Sequence, residues 1–231
     1  MSRAGFIERL KAAGRELYHD RHPFHVRMHA GALSRSELAL WTHNRYYYQT
    51  RIPIKDALIL AKSEDLEFRR RWIRRVLDHD GTKRGEGGIA LWRRLALGVG
   101  ISEAELDDPN NILPGVRRAC DAYVELVRDA TLLEAVASSL TEAFAGALMR
   151  VRLEAWQRHY AWVPRDALEY FRVRVTRADE DAAYAVELVS TLATTPDHER
   201  RAIEALLSKA RLLWEMLDAI DAASAAAWRP P

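Results

Sequence analysis

Residues 41–56, WTHNRYYYQTRIPIKD, place an arginine, three consecutive tyrosines and a glutamine where the surrounding pattern is helical. At 3.6 residues per turn, Arg45, Tyr48 and Gln49 fall at i, i+3 and i+4 and share one face, which Trp41 and Ile52 extend. A core-facing stripe ordinarily carries Leu, Ile or Val. This one carries a cation, a phenol and an amide, and burying such groups without partners costs roughly 2–7 kcal/mol each. Two readings fit the pattern. Either the face meets a polar ligand, or it is an exposed face whose Tyr and Arg sit half in water.

Other segments repeat the theme. Arg75 and His79 lie one turn apart on a helix that ends at Asp80-Gly81. A nearby cation keeps a histidine neutral at pH 7 and able to take a proton; a histidine at a helix C-terminus also serves simply as a cap favoured by the dipole. Tyr170 and Arg174, at i and i+4, repeat the phenol-plus-guanidinium pairing of Tyr48 and Arg45. Lys209 lies at the margin of an apolar stripe between Leu206 and Leu213, where it either snorkels to the surface or aims its charge at a bound anion. Four helices thus offer a cation on or beside an inward face. Several buried cations without counter-charge are prohibitive, so either the interior is a wet cleft or a ligand supplies the carboxylates.

Weaker candidates read as structure. His22, His25 and His29 have metal-like spacings, but Pro23 interrupts the geometry and no carboxylate matches them, which leaves structural or surface roles. Glu16-x-x-His19 is half of a di-metal helical-bundle signature whose second copy is missing. FRRRWIRR (68–75) mixes arginines with aromatics as nucleic-acid-binding segments do. Helical geometry scatters those arginines, giving a solvated face with one inward Arg. Cys120 is a candidate nucleophile beside the Val116/Ala119/Tyr123 stripe, a position that reads as buried core.

These groups need a scaffold, and the chain supplies helices. Its 231 residues are 48% hydrophobic, enough for a proper core, and are expected to form a single all-α domain over 1–225 with a frayed tail at 226–231. The +2 net charge is small for a whole-surface nucleic-acid binder, and one cysteine excludes an intramolecular disulfide. No signal-like or membrane-length apolar run is evident, which implies a cytoplasmic setting. Capping boxes at Ser34/Glu37, Ser102/Glu105 and Thr131/Glu134 mark helix starts, as does Pro114. The spacing predicts a helix carrying residues 41–52 that breaks or kinks at Pro53, and a short one over 54–62. It also predicts one long helix from Thr131, separate helices around Tyr170 and over 179–192, and no strand.

Taken together, ELYHDRHPFH (16–25), NRYYYQTRIPIKDA (44–57), RVLDHDG (75–81), SSLTEAF (138–144), YFRVR (170–174) and KARLLWEMLDA (209–219) resemble the pyrroloquinoline-quinone synthase family, in family order and over nearly the whole chain. The resemblance implies a compact seven-helix bundle like heme oxygenase and thiaminase II, assembled as a homodimer. It implies a bicyclic ortho-quinone substrate bearing several carboxylates, ring closure, and stepwise oxidation by O2 that yields peroxide without metal or flavin. A carrier protein from pyrroloquinoline quinone (PQQ) biosynthesis is a further implied partner. The matching pocket positions are Tyr18, His19, Arg45, Tyr48, Gln49, Lys55, Arg75, His79, Tyr123, Glu142, Tyr170, Arg174 and Lys209. By the same resemblance Arg45, Lys55, Arg75 and Lys209 hold carboxylates and quinone oxygens, His79 is the principal base and His19 a second proton-transfer group. Tyr170 and Arg174 flank the place where O2 takes electrons.

This chain departs from the pattern at two places: Met149 stands where relatives commonly carry a histidine, and Ala183-Tyr184 where some carry Glu-His. Both changes remove imidazole from the expected cavity. Rival readings are a thiaminase-like hydrolase using Cys120, a metal-dependent oxygenase on the same fold, and a non-catalytic protein that sequesters PQQ or a related quinone.

Overall fold

The helix carrying the tyrosine-rich stretch is set at its start by Ser34, whose side chain accepts from the Glu37 N–H while the Glu37 carboxylate takes the Ser34 N–H. This helix, α3 (Arg35–Leu60), runs 26 residues without a break through Pro53, so the expected break and separate helix over 54–62 are corrected. An internal proline costs about 3 kcal/mol. Leu38, Trp41, Ile52 and Ile59 are all buried along the same helix, and at about 1.5–3 kcal/mol per buried side chain they outweigh that loss.

The computed structural model describes residues 2–227, apart from the side chains of 176–182 and 226–227; the tail expected at 226–231 lies outside the residues described with side chains. Among the described residues the chain is all α, with no strand. Before α3 come α1 (Arg3–Glu16) and α2 (Pro23–His29); after it come α4 (Leu66–Asp80), α5 (Gly87–Gly98), α6 (Glu103–Asp107) and α7 (Pro114–Asp129). The chain continues through α8 (Leu132–Ser138), α9 (Ala145–His159), α10 (Glu169–Leu192) and α11 (Pro196–Ala227). The bundle therefore has more segments than the seven expected, several of them connectors of only five to seven residues.

Two further expectations change. The helix opening at Thr131 is not one long helix: α8 passes into a 3-10 segment, Ser139–Phe144, before α9 resumes. Tyr170 and residues 179–192 share the single helix α10. At the start of α4 the Asp65 side chain accepts from the Glu67 and Phe68 N–H groups and caps the helix.

α3 packs on α4, α5 and α7, α10 packs on α9 and the 3-10 segment, and α11 packs on α7, α8 and α1. Four fully buried tryptophans, Trp41, Trp72, Trp92 and Trp156, fill the middle. Trp41 meets Trp92 at 5.4 Å and Trp156 at 5.9 Å between ring centres, and the Trp92 indole donates to the Thr42 carbonyl at 2.9 Å. Leu132–His159 is long and apolar enough to cross a membrane by composition, but 61% of its most apolar window is buried inside the bundle. At the end of α4, Gly81 takes φ +77° and Gly87 φ +81°; a Cβ on Gly87 would stand 2.5 Å from the His79 carbonyl oxygen. That close approach needs glycine, and it folds the 81–88 loop tightly against the histidine.

Candidate active site

The first feature of the interior is a compensated charge network. Lys55 on α3 is fully buried, with Nζ donating to Asp56 Oδ1 at 2.8 Å, Ser139 Oγ at 2.9 Å and Glu142 Oε1 at 3.3 Å. Arg75 on α4 donates from Nε to Asp56 Oδ1 at 3.4 Å and from Nη2 to Glu142 Oε2. Two cations thus face two carboxylates. Burial alone pushes a lysine down, but Asp56 and Glu142 reverse this and hold Lys55 above its ordinary value. Burial likewise pushes the Glu142 carboxyl up, and Arg75 and Lys55 overcome it to hold the group well below the usual carboxylate range. The 3-10 segment matters here, because it brings Ser139 and Glu142 to Lys55.

A second group of cations meets no carboxylate among the described residues. The Arg45 guanidinium lies 4.2 Å over the Tyr48 ring, its Nη1 reaches the Met216 sulfur at 4.0 Å, and its Nε has no partner. Lys209 Nζ stands 3.5 Å from the centre of the Tyr123 ring and 4.3 Å from that of Tyr48. It is 1% exposed, at the centre of the α11 stripe rather than at its margin, so it does not snorkel. Burial, with added repulsion from Arg45 and Lys55, pulls its ammonium well below the ordinary lysine value. Arg152 on α9 is fully buried, leaves Nε and Nη1 unpaired, and is drawn down to about 9 by burial and by Arg45.

Histidines stand against both groups. Burial, followed by the charge of Arg174, lowers His79 to about 4, while its Nδ1 lies 3.1 Å from the Arg75 carbonyl oxygen. The His19 ring lies 4.5 Å from that of Tyr18, tilted by 41°, and burial followed by Arg45 and Arg152 holds it well below its ordinary value. The Tyr170 hydroxyl donates to Gln49 Oε1 at 3.0 Å, and its ring meets the edge of Trp92 at 4.8 Å.

An interior cavity of about 40 Å³ is lined by Tyr18, His19, Arg45, Tyr48, His79, Glu142, Tyr170 and Arg174, together with Thr141 and Met149. A neighbouring cavity of about 120 Å³ shares His79, Tyr170 and Arg174 with it, and a third of about 380 Å³ shares Tyr18. Lys55, Arg75, Gln49, Tyr123 and Lys209 stand behind this lining, the first two in the ion-pair network and the others bracing the tyrosines. Sequence reasoning missed Arg152, Asp56 and Ser139, and read His25 only as a structural or surface residue. Arg152 carried a signal: it sits in the buried stripe between Leu148 and Trp156, the same cation-in-an-apolar-row pattern as Lys209. Asp56 had none beyond its adjacency to Lys55.

Other candidates separate. Cys120 is buried, its thiol pushed up to about 12 by burial, the reverse of what a nucleophilic thiolate needs. Glu16 is exposed while His19 is buried, so the half di-metal motif does not converge. Arg69, Arg70, Arg71 and Arg74 face solvent and Arg75 alone turns inward, as the sequence implies. His22 and His25 are buried rather than on the surface. Met149 lines the cavity, and Tyr184 lies under Arg71 at 4.4 Å.

The arrangement of helices is that of heme oxygenase-like and TenA proteins. It aligns at TM-score 0.77 and 11% identity with a heme oxygenase-like domain of unknown function from Shewanella denitrificans, over 96% of this chain and 93% of that one. A TenA homolog from Pseudomonas syringae aligns at TM-score 0.76 and 12% identity, over 96% of each chain. The family model described as TENA/THI-4/PQQC matches residues 7–219, and the chain belongs to that family. Within it, the chain is 42% identical over its full length to pyrroloquinoline-quinone synthase of Klebsiella pneumoniae, covering 91% of that protein. It is 43% identical to the Gluconobacter oxydans enzyme of the same name, over 96% of this chain and 93% of that one.

Proposed function

We propose that this chain is a pyrroloquinoline-quinone synthase that completes PQQ by closing a ring on a polycarboxylated ortho-quinone precursor and oxidising the product with O2. A role in PQQ biosynthesis follows from the relatives; the chemistry is the finer reading. The observation that carries it is the acid-free group of Arg45, Lys209 and Arg152 beside two neutral histidines. Buried cations of this kind need counter-charge, and a substrate with several carboxylates supplies it. Arginine adds a planar donor fork that fixes orientation as well as charge.

Within that reading His79 takes protons from ring carbons through its bare Nε2. Tyr170, held by Gln49, and Arg174 stand where O2 accepts electrons, a cation favouring the developing superoxide or peroxide anion. Each oxidation removes two electrons and two protons from the ring and delivers them to O2 as H2O2. The quinone substrate is itself the electron carrier, so the reaction as proposed calls on no metal or flavin. Met149 packs against the lining and donates no proton, which leaves proton traffic to His19 and His79. The reading includes a homodimer and delivery of substrate by a carrier protein, both implied by the family resemblance; light scattering on the purified protein tests the first.

The decisive experiment is anaerobic mixing with the precursor followed by admission of air. An enzyme generates PQQ absorbance and peroxide; a sequestering protein gives only a binding shift, and that outcome overturns the proposal.

A further inference from the structure

His25, fully buried on α2, has partners that fix where its proton sits, and the consequence reaches the cavity. Its Nε2 lies 3.2 Å from Arg152 Nη2. Arginine only donates, so this nitrogen accepts and carries no proton. Its Nδ1 lies 2.9 Å from the His19 carbonyl oxygen, which only accepts, so this nitrogen carries the proton. The two ends demand the same neutral form. The same Nδ1 faces His19 Nδ1 at 3.2 Å. Two N–H groups cannot oppose each other at that distance, so His19 Nδ1 is bare and the His19 proton resides on Nε2. That Nε2 has no hydrogen-bond partner among the described residues, on a side chain that lines the cavity.

His79 is set the opposite way. Its Nδ1 lies 3.1 Å from the Arg75 carbonyl oxygen, which places its proton on Nδ1 and leaves Nε2 bare.

We propose that Arg152 and His25 are positioning residues that lock His19 in its Nε2–H tautomer, making it a hydrogen-bond donor into the cavity while His79 faces the same cavity as an acceptor. The inference rests on the preceding reading for what His19 donates to, namely an anionic oxygen of the carboxylated quinone; the tautomers themselves need no ligand. Burial, with Arg152 and Arg45 nearby, keeps both imidazoles from charging, so the lock operates on neutral rings.

The test is long-range proton–nitrogen NMR on ligand-free protein labelled with 15N-histidine, near pH 7, which reads tautomers directly. His19 is expected as Nε2–H and His79 as Nδ1–H; finding His19 protonated on Nδ1 overturns the proposal. In His25→Phe the lock is gone, and His19 is expected as a mixture of tautomers with kcat for O2-dependent oxidation reduced about tenfold or more. His25→Asn places an amide N–H near the former Nδ1–H and is expected to restore the Nε2–H form and most of the rate. If His25→Phe leaves His19 wholly Nε2–H, His25 is not the lock and the proposal fails. Should the Phe variant not fold, the wild-type spectrum and the Asn variant still decide. An absence of PQQ formation by the wild type would sink the functional reading alone, because the tautomer measurement is made without substrate.

Discussion

Two sets of buried cations lie along α3 and are treated in opposite ways. Around Lys55 and Arg75, Asp56 and Glu142 return one negative charge for each positive one. Ten residues earlier, roughly 15 Å along the helix axis, Arg45 faces aromatic rings and a thioether, and its neighbours Lys209 and Arg152 are no better supplied. Removing one partner of a buried pair is costly because it strands the other, whereas an unpaired buried charge already carries its penalty. The first set is a finished piece of structure. The second has no acid beside it among the described residues, and the imidazoles of His19 and His79 stand next to it.

Substitutions separate the two sets. Glu142→Gln strands Lys55 and Arg75 with one carboxylate between them and is expected to lower unfolding stability by about 3–5 kcal/mol in denaturant titration. A change under about 1 kcal/mol would show that the network is not a structural unit. His79→Ala is expected to cut kcat by about 10²-fold or more while changing PQQ affinity little; equal losses of rate and affinity would remove it as the base. Lys209→Met is expected to leave stability unchanged or raise it, yet weaken PQQ binding by roughly 10- to 150-fold, as for loss of a hydrogen bond to a charged group. A stability loss like that of Glu142→Gln would erase the distinction between the sets.

Two proton measurements sharpen the contrast further. Lys209 sits well below its ordinary value in the empty protein, and a carboxylate beside it raises it again. At a pH where Lys209 is partly deprotonated in the empty protein, binding of PQQ is therefore expected to take up protons, read by calorimetry in buffers of different ionisation enthalpy across a pH series; proton release at every pH contradicts this. For His79 the folded value of about 4 lies below the ordinary 6.5. Between those values the unfolded chain holds a proton that the folded one does not. Stability accordingly rises with pH across that window and is lost on acidification, by about 1.4 kcal/mol per pH unit. Glu142 adds to the loss below its ordinary value, since its folded value is lowered. His19, His25 and His29 are lowered as well and add slope of their own, so a His79→Gln variant should reduce the slope between pH 4 and 6.5 by up to about 1.4 kcal/mol per pH unit without abolishing it.

How much of this is visible in the residues depends on the range of the interaction. Helix starts at Ser34, Ser102 and Thr131 depend on partners three residues away, and they appear as the capping boxes imply. The Arg45/Tyr48/Gln49 face and the single inward arginine of FRRRWIRR follow from helical period alone. Pro53 misled because a local rule met a long apolar row that outweighs it. The acid balance of Lys55 was not legible, since Glu142 lies 87 positions away on a 3-10 segment that interrupts a helix the spacing makes continuous. Cys120 and Lys209 were ambiguous in the sequence because depth decides both, and depth is a property of the assembled bundle.

The four-indole core has a practical corollary. Trp92 touches Tyr170 edge-on, Trp41 lies 5.0 Å from the Arg152 guanidinium, and Trp72 lies 4.6 Å from that of Arg75, so the fluorophores are built into the walls around the pocket. An absorbing quinone seated there drains their excited states, and the protein's own ultraviolet emission becomes a dye-free gauge of occupancy, fast enough to time arrival and departure of ligand in a stopped-flow cell.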